Sequence, residues 1–245
     1  MLEWTVLIVA GYLAGVLNSI AGGGSFLTFP ALVWAGVPPI TANATSAVAV
    51  LPGYLGGAAG FRKELRSLSL RRHLQMSAVG LAGGLSGALL LLITPAELFS
   101  KLVPLLLLLA TLMFAFGQKL LALVRNSEHP LPLLPGLFIV AVYGGYFNGG
   151  LGIMLLAMFA AAGMSSMLLM NGLKNWLSFV LSLISVAAFA LAGKVLWIEA
   201  LVMMLAATLG GYQGAALSRL MPVVWVKGLV VVVGLVMTVV FFLRT

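Results

Sequence analysis

The chain contains no cysteine and no aspartate, and its only acidic residues are five glutamates among 245 positions. Without thiols, disulfides, thiol redox chemistry and iron–sulfur clusters are excluded. There is no HExxH, no pair of carboxylates and no plausible Ser–His pair, so the chain reads as neither an enzyme nor a metalloprotein, with no cofactor. Charge of either sign is scarce. Only 7% of residues are charged, against about 25% in a soluble domain, too few to cover a surface in water. The glutamates (Glu3, Glu64, Glu97, Glu128, Glu199) and both histidines (His73, His129) fall at segment ends or in loops. A proton relay through the protein would need such a group inside the membrane, so protein-borne proton antiport is disfavoured.

What is present is apolar. Hydrophobic residues make up 62% of the chain and the mean hydropathy is +1.19. Runs such as Leu102–Phe116 and Gly228–Leu243 carry no charge, and approach the roughly 20 residues of a membrane-spanning helix. They lack the alternation of a membrane β-barrel. The expectation is an all-α polytopic membrane protein with the lipid bilayer as its surroundings. Trp4–Ile20 reads as a first transmembrane helix rather than a removable leader. The net charge of +8 is assigned to topology-setting loops and not to nucleic acid.

The chain also repeats itself. Gly87 to Gly214 and Pro95 to Pro222 are each 127 positions apart, Asn43 to Asn171 is 128, and Gly15-Val-Leu-Asn18 matches Gly145-Tyr-Phe-Asn148 at 130. The loop Phe61–His73 holds five basic residues, whereas its counterpart Gly193–Glu199 holds one lysine and one glutamate. Around Pro95 and Pro222 the bias runs the other way. Reversed charge bias between copies is expected of an inverted repeat with an odd number of segments per copy. Five segments fit each copy: residues 3–20, 24–36, 42–60, 73–92 and 98–122 in a repeat over 1–127, then 133–147, 151–163, 172–192, 196–218 and 224–243 in a repeat over 128–245. Threading these through the charged loops puts both termini outside. The second segment of each copy has about 13 residues, or ~20 Å of helix, too short to cross ~30 Å of hydrocarbon upright.

Both short segments follow a glycine-rich break, "AGGGS" (Ala21–Ser25) and "NGGLG" (Asn148–Gly152). Each glycine in a helix interior costs roughly 1 kcal/mol relative to alanine, and in lipid an irregular backbone survives only where protein buries it or it lines a cavity. Paired breaks at matching places point to a transporter's central site. Helices starting near Ser25 and Leu151 would turn N–H groups and positive dipole ends towards the break, an arrangement that attracts anions. The candidate substrate-binding residues are Asn18, Gly22, Gly23, Gly24, Ser25, Asn43, Thr45 and Ser46 in the first copy. In the second they are Asn148, Gly149, Gly150, Gly152, Asn171, Lys174 and Asn175. Lys174, about a turn into an apolar helix, would mark the substrate path or else snorkel to the nearby surface. Thr28, Phe29 and Pro30 could shape the site. Small residues also serve plain helix packing, the reading given to Gly11/Gly15, Gly53/Gly57 and Gly210/Gly214.

At these residues the chain resembles the sulfite exporter TauE/SafE family. "GVLNSIAGGGSFLTFPALVWAGVPPITANATSAVAVLPG" is similar to that family's Gly-rich turn followed by Pro, Gly and Ala/Asn-x-Thr-Ser. "GLAGGLSGALLLLITP" and "GGYQGAALSRLMP" are similar to its Gly-xxx-Gly helices. The second copy departs with "NGGLG" and "NGLKN", which leaves the symmetry of the site open. The resemblance implies movement of sulfite, sulfonates or other sulfur-containing anions across a bacterial or archaeal plasma membrane. The expected partner is therefore a small anion held between the two breaks. A channel or uniporter for a cation or neutral solute, with backbone carbonyls as ligands, and a non-transporting membrane partner are the other readings.

Overall fold

The structure, a computed structural model, describes residues 1–20, 23–125, 131–217 and 223–244. The described residues form eleven helices and no strand. They are α1 (Leu2–Ile20), α2 (Ser25–Trp34), α3 (Pro39–Gly60), α4 (Arg62–Arg66), α5 (Leu70–Ile93), α6 (Ala96–Arg125), α7 (Leu133–Tyr146), α8 (Leu151–Ala161), α9 (Met167–Leu191), α10 (Trp197–Leu217) and α11 (Val223–Arg244). Three described stretches are long and apolar enough to cross a bilayer, Leu70–Ile93, Ala96–Gly117 and Met167–Leu191. Gly22, Glu128, His129, Arg219, Pro222 and the 127/128 repeat boundary lie outside the described residues.

Each of the ten expected segments has a helix at its place, and the structure adds one. The basic stretch Phe61–His73, read as a loop, contains α4. Its sequence "RKELR" is made of good helix formers, and Phe61 and Leu65 lie against Gly172 of α9, where a Cβ would meet them at 3.0 and 3.2 Å. Helix α9 also begins earlier than expected, because the Ser166 hydroxyl caps it by accepting from the Leu169 N–H at 3.3 Å. Lys174 therefore sits two turns into its helix, not one.

Glycine decides how the long helices meet. Helix α1 packs along α10 and α5 along α7. A Cβ on Gly15 would strike the Ala207 carbonyl, and one on Gly11 would reach the Met203 carbonyl at 2.8 Å. In the other pair, Gly87 lies on the Val142 carbonyl and Gly145 on that of Gly84, both too close for any side chain. Gly11 and Gly15 meet the carbonyls of Met203 and Ala207, and Gly83 and Gly87 those of Phe138 and Val142, so the residue numbers rise together in each pair and the helices run parallel. Helix α3 packs on α9, α6 on α11, α8 on α6 and α2 on α11.

Helices α7 and α8 form a short hairpin. The Leu131 N–H donates to the Ala161 carbonyl at 2.8 Å, so α8 returns to the end of the bundle from which α7 started. That end also carries α4, since α4 packs on the start of α9. Between the helices, phenylalanines fill the interior. Phe29 of α2 meets Phe147 edge-on at 5.6 Å and stacks on Phe241 of α11 at 5.9 Å, while Phe26 meets Phe114 of α6 at 5.9 Å. Such ring contacts add roughly 1 kcal/mol each beyond the area they bury. They lock α2 into the core against α6, α11 and the residue before the second break.

Candidate functional site

The two breaks touch. The Ser25 hydroxyl, at the first residue of α2, donates to the Asn148 main-chain carbonyl at 3.3 Å, across 123 residues of chain. Gly24 closes the first break by donating its N–H to the Asn18 side-chain oxygen at 2.7 Å. A Cβ on Gly24 would lie 2.6 Å from the Asn18 amide nitrogen, and Gly23 has a φ of +92°, so only glycine fits either place comfortably. In the second break Gly150 has a φ of +74°, packs on Ala110 of α6 and starts α8.

Asn148 is the hub. It is 4% exposed. Its side-chain oxygen accepts from the Tyr54 hydroxyl of α3 at 2.8 Å, and its amide nitrogen donates to Ser182 of α9 at 3.2 Å. Two further carbonyls at this break also accept side-chain donors. Asn43 donates to the Tyr146 carbonyl at 3.1 Å and Tyr143 to the Gly149 carbonyl at 2.6 Å. Thr28 and Ser46 pair through their hydroxyls at 2.6 Å beside this cluster of helices α2 and α3. Each buried polar side chain among the described residues is uncharged.

Lys174 lies alongside. A Cβ on Gly152, in the first turn of α8, would meet the Lys174 Cδ at 3.3 Å, so the lysine stem runs over the N-terminal end of that helix. Lys174 makes no hydrogen bond or ion pair with any described residue. A cation beside the positive end of a helix dipole is electrostatically unfavourable on its own, and an anion between them removes the conflict.

Some candidates sit elsewhere. Thr45 accepts from the Leu196 N–H at 3.1 Å, where the chain enters α10. Asn171 donates back to the Met167 carbonyl of its own helix at 2.9 Å. Asn175 packs against Gly57, whose Cβ would lie 2.8 Å from its amide. Tyr54, Tyr143 and Ser182 were missed by the sequence reading. The signal for the serine was available: Asn171, Asn175, Ser178, Ser182 and Ser185 recur at three- and four-residue spacing, which is one face of a helix.

These features define a multi-pass helical membrane protein with a glycine-built, uncharged polar centre. The sequence profile of the family described as "Sulfite exporter TauE/SafE" matches residues 7–241. The chain belongs to that family, which places it among membrane transporters. It is 31% identical over 237 residues to a "Probable membrane transporter protein" of Haemophilus influenzae, covering 95% of this chain and 92% of that one. It is 28% identical over 239 residues to "Probable membrane transporter protein ORF9" of Sinorhizobium sp, covering 95% and 90%. To "Probable membrane transporter protein YfcA" of Escherichia coli K12 it is 29% identical over 238 residues, covering 95% and 87%. No solved structure matches the chain.

Proposed function

We propose that the protein exports small sulfur-containing oxyanions, sulfite or organosulfonates, bound between the two glycine breaks near mid-membrane in a bacterial or archaeal plasma membrane. The chain is then two inverted five-segment repeats with both termini outside. The packing supports the two repeats: α1 on α10 answers α7 on α5, and α6 on α8 answers α11 on α2. Exchanging the two copies maps each pair onto its counterpart. The hairpins α1–α2 and α7–α8 are the two re-entrant elements, and their tips meet at Ser25 and Asn148.

The observation that carries an anion is the polarity of that meeting point. The carbonyls of Tyr146, Asn148 and Gly149 already accept side-chain donors, while Lys174 has no acidic partner among the described residues. A cation would compete with hydrogen-bond donors for these three carbonyls and would have a lysine nearby. An anion would find a cation, helix N-termini and hydroxyls. The inside-negative potential expels an anion by about 2.3 kcal/mol per charge per 100 mV, so export needs no coupled proton.

The test is flux of labelled sulfite and a panel of sulfonates in proteoliposomes at set voltage and pH gradients. Saturable flux that follows voltage and ignores the pH gradient is expected. Cation-selective flux would assign the site to the channel reading, and no flux of any solute would leave a non-transporting partner.

A further inference from the structure

We infer that Ser178 is a direct ligand of the transported anion, in a second binding position formed with Lys174 at the first turn of α8. The inference rests on the anion reading above and names a site one helical turn away from Asn148.

Ser178 is the exception among the interior hydroxyls. Thr111, Ser185 and Thr238 are buried within helices and satisfy themselves by donating to the carbonyl four residues back, at 2.6, 2.7 and 2.7 Å. Ser25 and Ser182 bond to Asn148, and Ser46 to Thr28. Ser178 is 1% exposed, yet its Oγ has no hydrogen-bond partner among the described residues. A buried hydroxyl without a partner is destabilising, and no neighbour in the described fold needs it. Its absence of structural work is what a ligand-facing group shows.

Position completes the case. Ser178 lies four residues after Lys174 and four before Ser182, on the same face of α9. On one side of it is the lysine whose stem crosses Gly152 at the start of α8. On the other is the Ser182–Asn148 pair that ties α9 to the second break. The face therefore leads from a cation through a free hydroxyl to the meeting point of the breaks. An oxyanion at the start of α8 can take one hydrogen bond from the Lys174 ammonium and another from Ser178 Oγ. Passing it inward costs a step of one turn, about 5–6 Å.

The experiment compares wild type, Ser178→Ala and Ser178→Thr in sulfite flux, with sulfite-induced thermal shift read on the same preparations. Ser178→Ala should raise the KM for sulfite about tenfold or more, the range of a hydrogen bond to a charged ligand, and shrink the thermal shift in parallel. Ser178→Thr keeps the hydroxyl and should recover most of the affinity. Without sulfite, Ser178→Ala should be at least as heat-stable as wild type, since it removes an unpaired polar atom. Should it not fold, Ser178→Cys, of similar volume and weaker donor strength, is read in its place. A KM and thermal shift equal to wild type in the folded variant overturns the role of Ser178 and leaves anion transport standing. Absence of flux and of thermal shift in the wild type overturns both.

Discussion

The phenol of Tyr54 donates to the side-chain oxygen of Asn148 at 2.8 Å, and this single bond fixes which way the amide faces. With the oxygen turned to Tyr54, the nitrogen is left to donate to Ser182. Two helices, α3 and α9, are thereby pinned to one side chain of the second break.

Asn148→Ala should destabilise the protein by about 2–3 kcal/mol, because it leaves both the Tyr54 and Ser182 hydroxyls buried without that partner. Tyr54→Phe alone should cost about 1–2 kcal/mol by stranding the amide oxygen. Thermal unfolding of the single and double variants in detergent checks it. The two effects should add to clearly less than their sum. Full additivity would mean that the residues do not share a bond.

Gly150 tests the break itself. Its φ of +74° and a Cβ position 3.0 Å from that of Ala110 predict that Gly150→Ala costs about 1–2 kcal/mol in stability. Gly56 is helical with open space around it, so Gly56→Ala should be neutral or slightly stabilising. Melting curves of the two variants side by side separate a strained position from a merely small one.

Gly23→Leu should block transport. Gly23 has a φ of +92° and its Cβ position lies 3.0 Å from the Phe114 ring, so a leucine there pushes into the first break and strains its backbone. Normal sulfite flux by a well-folded variant would contradict a role for this break in transport.

Lys174→Ala should lower sulfite flux about tenfold, the loss of one charge-assisted contact, without preventing insertion. The lysine holds no described group in place, so expression and melting temperature should stay near wild type. Unchanged flux at unchanged affinity would assign the side chain to snorkelling.

Gly15→Leu and Gly87→Leu should abolish recovery of monodisperse protein. Each would drive a side chain into a carbonyl of the facing helix, a contact that no rotamer relieves. Size-exclusion profiles after detergent extraction report it directly.

The course of the helices was legible because hydropathy and glycine act locally. Ser25 and Leu151 begin their helices where the preceding glycines said they would. What could not be read is where a polar side chain points. Thr45 and Asn148 look equally eligible in sequence, yet one accepts from the chain entering α10 and the other joins the two breaks. The polar face of α9 was readable in its spacing, but an offset match between Asn43 and Asn171 drew attention to the helix end instead. Asn43 reaches the second break and Asn171 only its own helix. Helix α4 escaped notice because five charged-rich residues carry too little periodicity to separate a turn of helix from a loop.

The close seams at Gly15 on Ala207 and at Gly145 on Gly84 each join a helix from one half of the sequence to a helix from the other. Where backbone rests on backbone, there is no rotamer to change and no slack to take up, so neither pair can slide without opening a void. The rigid bodies of this molecule are therefore not its two sequence halves: α1 goes with α10 and α5 with α7.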